Sequence, residues 1–184
     1  MEKHDDILKL VAKNDQHAFG QLYELYADKV YNTAISYMQN ERDAEEVTQD
    51  IFVSIFRNAK SFKRNSSVST WIYRISVNTS INYLRKRKKY RLFQFGTTPN
   101  EKVDFVHPGV LLENKENAKA LFKVIETLPE SQKTAFILSF VEDLPRKKVA
   151  EIMETSLKSV ESLLQRAKKS LRKKLKESNY LENY

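Results

Sequence analysis

Two stretches of this chain carry side chains suited to holding a polyanion. In the first, Lys158, Ser159, Glu161, Ser162, Gln165, Arg166 and Lys169 recur on the polar side of a helical repeat. That mixture matches the edges of duplex DNA: lysine and arginine satisfy phosphates, while glutamine and glutamate can discriminate adenine and cytosine edges. In the second, Arg85, Lys86, Arg87, Lys88 and Lys89 place five cations in succession, more than a helix C-terminus needs for its dipole. Phosphate is the fitting counter-charge. Just upstream lie Trp71, Tyr73 and Asn78, preceded by the polar stretch SFKRNSSVS at residues 61–69. Aromatic rings beside cations can stack on unpaired bases. Taken alone, each stretch also fits a solvated charged surface, and Trp71 equally fits a core.

A third surface has the opposite sign. Within DAEEVTQDIFVSIF, residues 43–56, Glu45, Glu46, Gln49 and Asp50 fall on polar faces with Phe52 and Phe56 near by. An acidic patch on a basic chain suits a protein partner better than DNA, with ordinary solvated surface as the alternative. No catalytic constellation competes with these readings. His4, His17 and His107 are scattered, and no HExxH pattern, P-loop or glycine-rich dinucleotide turn is present. No catalytic residue, metal ligand set or cofactor is therefore expected.

Helices must position these groups. The 184 residues are 41% hydrophobic and 30% charged, with only 3 Gly and 4 Pro, a composition that favours helices over turn-rich sheets. Apolar residues recur at helical spacing in Ile7, Leu8, Leu10 and Val11, then from Phe19 to Ala34, then in Ala44, Val47, Ile51, Ile55 and Ala59. A fourth helix is expected from about Thr70 into the basic run. Helical period is lost over residues 92–116, which collect two Pro and two Gly in the manner of a linker. It resumes in Ala118, Leu121, Phe122 and Ile125, stops at Leu128, and restarts from Pro129. Last come a short helix with Val149, Ala150, Ile152 and Met153 buried, a turn at residues 154–156, and a helix whose stripe is Val160, Leu164, Ala167, Leu171 and Leu175. Ser156 suits its N-cap.

The expected fold is thus all-α: two small helical domains, residues 1–91 and 117–184, joined by a flexible linker at 92–116. The second ends in a helix-turn-helix. Net charge is +8 with pI about 9.5. Residues 1–91 hold 16 Lys/Arg against 11 Asp/Glu, and residues 117–184 hold 14 against 9, so each domain carries +5. The linker holds 2 against 4, a net of −2. Two basic bodies call for a polyanionic partner. The chain has no Cys, which excludes disulfides and thiolate metal sites and suits a reducing cytoplasm. No apolar run approaches the roughly 20 residues of a membrane span, and the acidic start MEKHDDIL is unlike a secretory signal, so a soluble cytoplasmic protein without membrane insertion is expected.

These segments also resemble a known family. RDAEEVTQDIFVSIFRNAKSF, STWIYRISVNTSINYLRKRKK, LPESQKTAFILSF and VAEIMETSLKSVESLLQRAKKSLRKKL are similar, in order and spacing, to an extracytoplasmic-function (ECF) sigma factor of bacterial RNA polymerase. The likeness spans nearly the whole chain. The pattern Thr70, Trp71, Tyr73, Ile75, Asn78 followed by the basic run is its most specific part. The resemblance implies a non-catalytic promoter-specificity subunit whose partners are core RNA polymerase (the β′ coiled coil and β subunit), promoter DNA and an anti-sigma factor, often membrane-anchored. By position, Glu46, Gln49, Asp50 and Phe52 would dock on the β′ coiled coil. Lys63, Asn65, Ser66, Trp71, Arg74 and Asn78 would capture a flipped base and melt the minus-ten element, with Arg85, Lys86 and Arg87 on backbone phosphates. Lys158, Ser159, Glu161, Ser162, Gln165, Arg166 and Lys169 would read the minus-thirty-five element.

Four positions depart from the family's pattern. Glu154 stands where glycine is usual, so the turn is expected to form without a residue free to take positive φ. Glu161 replaces a basic residue, Leu163 a common arginine, and Asn82 an acidic residue. Two other function classes fit the charge pattern without the resemblance. One is a stand-alone two-domain DNA-binding regulator that does not bind polymerase; the other is a membrane-surface protein using basic helices on anionic lipid.

Overall fold

A computed structural model of the chain describes residues 2–93 and 115–177. Every regular element among them is helical. The chain divides into two compact units, Met1–Val103 and Asp104–Tyr184. Most of the expected linker, and His107 with it, lies outside the described residues; its first two and last two residues are helix ends.

The first unit contains α1 (Glu2–Val11), α2 (Gln16–Met38), α3 (Glu41–Asn58) and α4 (Val68–Phe93), with a 3-10 turn at Ala59–Ser61. Helix α2 packs against each of the other three, and α3 packs on α4. The joints are short and chemically explicit. Asp15 caps α2 by accepting from the Ala18 amide at 2.9 Å. At the other end Gln39 takes the left-handed conformation (φ 56) and its N–H bonds the Ile35 carbonyl. Asn40 then caps α3, accepting from the Asp43 amide at 2.8 Å. Two residues therefore suffice to reverse the chain. Ser67 caps α4 through the Thr70 amide at 3.2 Å and bonds the Thr70 hydroxyl at 2.9 Å.

The apolar stripes meet in one core that includes Leu8, Leu22, Tyr26, Val30, Ile35, Val47, Ile51, Ile55 and Ile72. Polar residues buried in it bond to their own helices: the Thr33, Ser36 and Ser76 hydroxyls donate to carbonyls four residues back at 2.9, 2.7 and 3.0 Å. Tyr26 joins α1 to α2, its hydroxyl 2.8 Å from Nδ1 of His4. Burial, and secondarily the charge of Asp5, pushes that hydroxyl's pKa up to about 12.

The second unit contains α5 (Lys115–Glu126), α6 (Glu130–Phe136), a π-helical turn at Ile137–Val141, α7 (Arg146–Ile152) and α8 (Leu157–Glu177). Helices α5, α6 and α7 all pack against α8. Val160, Leu164, Ala167 and Leu171 of the expected stripe are buried, while Leu175 is half-buried. Lys133 is buried as well; desolvation lowers its pKa, and the charge of Glu126 opposes the shift.

The turn between α7 and α8 differs from expectation. Glu154 itself adopts φ 51. The Thr155 amide bonds the Ala150 carbonyl at 3.0 Å and the Glu154 amide bonds the Glu151 carbonyl at 3.3 Å. This is the Schellman pattern, and it satisfies the carbonyls at the end of α7 whatever side chain occupies the left-handed position. The left-handed geometry is kept, and Glu154 bears its steric cost of about 1 kcal/mol. Glu154→Gly should therefore stabilise the second unit by roughly 0.5–1 kcal/mol, and Glu154→Val, which adds β-branching, should destabilise it. Urea unfolding followed by circular dichroism checks both; a destabilised glycine variant would contradict this account.

Candidate functional site

In the second unit, α7, the turn and α8 form the expected helix-turn-helix. The buried stripe of α8 leaves Lys158, Ser159, Glu161, Gln165, Arg166 and Lys169 exposed on its other side, with Ser162 half-buried. Six of the seven expected duplex-reading residues thus stand open together on one helix. Ser159 is partly committed: its amide donates to the Ser156 hydroxyl at 3.1 Å and its own hydroxyl lies 2.9 Å from it. The first exposed turn of α8 is held in register by that cap.

In the first unit, the loop before α4 presents exposed Lys63 and Asn65, with Ser66 half-buried. Arg64 between them is also exposed and adopts φ 59, so it forms the bend of the loop. The expected set omitted it, although a cation in the middle of that loop was a readable signal. Trp71 is half-buried against Phe62, ring centroids 5.4 Å apart and planes at 56°. One part of the indole is braced and another remains open, an arrangement suited to stacking. Arg74 is half-buried and Asn78 exposed one turn further along α4.

On α3, Glu46, Gln49 and Asp50 are exposed as expected. Phe52 is not: it is only 4% exposed. Its ring packs beneath the surface against Tyr23 at 4.6 Å and Phe19 at 6.3 Å. The physical reason is register, since Phe52 shares the inward side of α3 with Thr48 and Ile55, one turn either way. Positions 46, 49, 50 and 53 form the outward stripe, and its apolar member is Val53, 44% exposed. The spacing that identified Glu46, Gln49 and Asp50 also pointed to Val53, but the larger aromatic drew the assignment.

The acidic and basic surfaces of this unit meet. Tyr83 of α4 directs its hydroxyl to Asp43 and Glu46 of α3, 3.1 Å from each. Burial first, and then the charge of Asp43, raises the Tyr83 pKa well above its usual value. Arg87, expected on DNA phosphate, forms an ion pair with Asp43. Arg85 and Lys86 are exposed. Beside them a cleft of about 350 Å³ opens between α3 and α4, flanked by Asp50, Asn82 and Lys86. Neither Asp43 nor Tyr83 had a sequence signal for this role, because 40 residues separate them. Among the described residues no cluster of His, Cys, Asp or Glu is arranged to hold a metal ion, and no helix is long and apolar enough to cross a membrane.

The two units correspond to known families. Residues 22–90 match Sigma-70 region 2 and residues 118–171 match Sigma-70, region 4. The chain is 29% identical over 178 residues to the ECF RNA polymerase sigma factor SigW of Bacillus subtilis (strain 168), covering 92% of this chain and 95% of that protein. It is 29% identical over 184 residues to the ECF RNA polymerase sigma-E factor of Escherichia coli (strain K12), covering 92% of each. Among solved structures, CnrH in complex with the cytosolic domain of CnrY has a TM-score of 0.68 at 22% identity, covering 94% of this chain and 96% of CnrH. The sigma factor RpoE of Bartonella quintana, in complex with the anti-sigma factor NepR, has a TM-score of 0.65 at 22% identity, covering 86% and 96%. These two structures support the fold.

A helical unit with a loop and aromatic-basic helix, followed by one ending in a helix-turn-helix, defines a sigma-70-class transcription initiation factor. Within that class, the chain belongs to the extracytoplasmic-function (ECF) RNA polymerase sigma factors.

The burial of Phe52 separates two kinds of substitution on α3. Phe52→Ala should cost about 3–5 kcal/mol of first-unit stability through the cavity it leaves. Val53→Ala should change stability little, because the side chain is already exposed. Thermal unfolding distinguishes them; equal effects would place Phe52 at the surface after all.

Proposed function

We propose that this chain recruits core RNA polymerase, directs it to a particular set of promoters and helps to open the minus-ten region. The observation that carries the reading is the presence of both sigma regions, in order, on one chain whose exposed residues suit each task. Residues 1–91 serve polymerase docking and minus-ten recognition, residues 92–116 connect, and residues 117–184 serve minus-thirty-five recognition. The exposed stripe Glu46, Gln49, Asp50 and Val53 docks on the polymerase β′ coiled coil, while Phe52 supports it from below. The second unit offers a surface to the β subunit. All of this takes place in the cytoplasm and requires no metal or cofactor from the chain itself.

At the minus-ten element, Lys63, Arg64, Asn65 and Ser66 form a loop that receives an extruded base, with Trp71, Arg74 and Asn78 beside it. Flipping a base costs a few kcal/mol of stacking, which contact with the aromatic ring and nearby cations offsets. Arg85 and Lys86 neutralise backbone phosphate. At the minus-thirty-five element, α8 enters the major groove of duplex DNA. Arg166 and Lys169 hold phosphate, whereas Glu161 accepts from cytosine N4 and so sets a preference at one base pair. Of the structures with this fold, CnrH was solved with the cytosolic domain of CnrY, and RpoE with the anti-sigma factor NepR. An anti-sigma factor covering the docking and DNA surfaces is the corresponding regulator here.

In vitro run-off transcription with bacterial core polymerase over genomic fragments should yield discrete transcripts only when this chain is added; failure to form a complex with core would sink the proposal. In duplex binding, Arg166→Ala should weaken every sequence and flatten the salt dependence by about 0.9 in log–log slope. Glu161→Ala should instead remove roughly 1–3 kcal/mol of discrimination at one position. A uniform loss for both would show that Glu161 specifies nothing. Trp71→Ala should reduce promoter melting by about 10- to 100-fold, the worth of one stacked base, with duplex binding preserved. Equal losses in the two assays would mean that Trp71 acts only by supporting the fold.

A further inference from the structure

The basic run is not uniformly available. Lys86, Lys88 and Lys89 are exposed, whereas Arg87 is turned into an ion pair with Asp43, the two side chains 30% and 16% exposed. The receiving carboxylate is held in place: Nδ2 of Asn40 donates to Asp43 Oδ2 at 2.8 Å, and the Tyr83 hydroxyl approaches Oδ1 at 3.1 Å. The N-cap acceptor of α3 is the Asn40 side chain, bonded by the Asp43 amide, so the Asp43 carboxylate is not itself the cap. A half-buried pair of this kind is screened less by salt than an exposed one. The guanidinium that it occupies has the fork geometry that suits a carboxylate and a phosphate alike.

We propose that Asp43 occupies the place of a DNA phosphate on Arg87, so that Arg87 is a masked phosphate contact withheld in the free chain. The proposal rests on the reading that residues 85–89 face DNA backbone. Exchange of one oxyanion for another leaves the guanidinium paired throughout, while the released Asp43 carboxylate keeps the hydrogen bonds from Asn40 and Tyr83. Its effect is to remove one cation from sequence-independent DNA binding by a chain of net charge +8.

The test is the affinity of the full chain for a fluorescent single-stranded oligonucleotide across a range of KCl concentrations. Each phosphate neutralised on a single strand contributes about 0.7 to the slope of log affinity against log salt. Asp43→Asn keeps hydrogen-bonding atoms facing Tyr83 and Asn40 but removes the charge, and should steepen the slope by about 0.7. In an Arg87→Ala background the same substitution should produce no steepening, which separates release of Arg87 from general loss of negative charge. A slope unchanged by Asp43→Asn, or steepening that persists without Arg87, overturns the mask. Lys86→Ala and Lys88→Ala are measured beside it. If neither flattens the slope, the run is not on DNA and the underlying reading fails too; if they flatten it and Asp43→Asn does nothing, only the mask fails. Thermal melts accompany each variant, and Asp43→Ser serves in place of Asp43→Asn should the latter unfold.

Discussion

The first unit depends on the joint between α2 and α3. A left-handed Gln39 followed at once by the capping side chain of Asn40 reverses the chain in two residues and brings α3 back along α2. A longer connection would let α3 slide or splay. The short one fixes which side of α3 is buried and delivers its acidic first turn to the end of α4. Core packing, the outward stripe of Glu46, Gln49, Asp50 and Val53, and the Asp43–Arg87 pair all follow from that register. The second unit has an analogous constraint in the left-handed Glu154 and the Ser156 cap, which set the angle and start of α8.

Much of this was legible in the sequence because helices in a small protein bury one stripe. Ala44, Val47, Ile51, Ile55 and Ala59 were identified by spacing and are buried, as are Val160, Leu164, Ala167 and Leu171. The opposite faces were thereby left at the surface, open to solvent or to partners. What could not be read was finer than a helical turn or longer-ranged than one helix. Phe52 and Val53 are adjacent, and 100° of rotation decides which is core; side-chain size suggested the wrong one at the surface. The linkage of Asp43 with Tyr83 and Arg87 joins positions about 40 apart and leaves no periodic trace. At Glu154 a non-glycine residue takes the left-handed position, which residue type alone does not indicate. Schellman hydrogen bonds come from main-chain groups, so the turn forms with a non-glycine residue at a steric cost.

The arrangement also shows how one basic chain can carry surfaces of opposite sign without collapsing them together. Tyr83 is a neutral donor between two carboxylates and the cationic end of α4. Like any tyrosine it is neutral at ordinary pH, and burial with the neighbouring carboxylates only disfavours its ionisation further, so it links the two helices without adding a charge. The surfaces proposed for docking and for DNA contact are thereby mechanically connected through α3 and α4 while remaining chemically distinct.

The π-helical turn at Ile137–Val141 has a consequence for insertion and deletion tolerance. A π turn holds one residue more than the α turn it replaces, so it is the place in the second unit where the chain has slack in its winding. Phe140 in this turn is 43% exposed, its ring 4.9 Å from that of Phe136 and tilted 45° to it, with the Lys168 ammonium 4.6 Å from its centroid. Rewinding the turn by one residue would rotate Phe140 by about 100° relative to α6 and break that ring–cation contact. Chain length within this single turn is thus coupled to the flank of α8, and a one-residue indel there would be felt on the second helix of the helix-turn-helix.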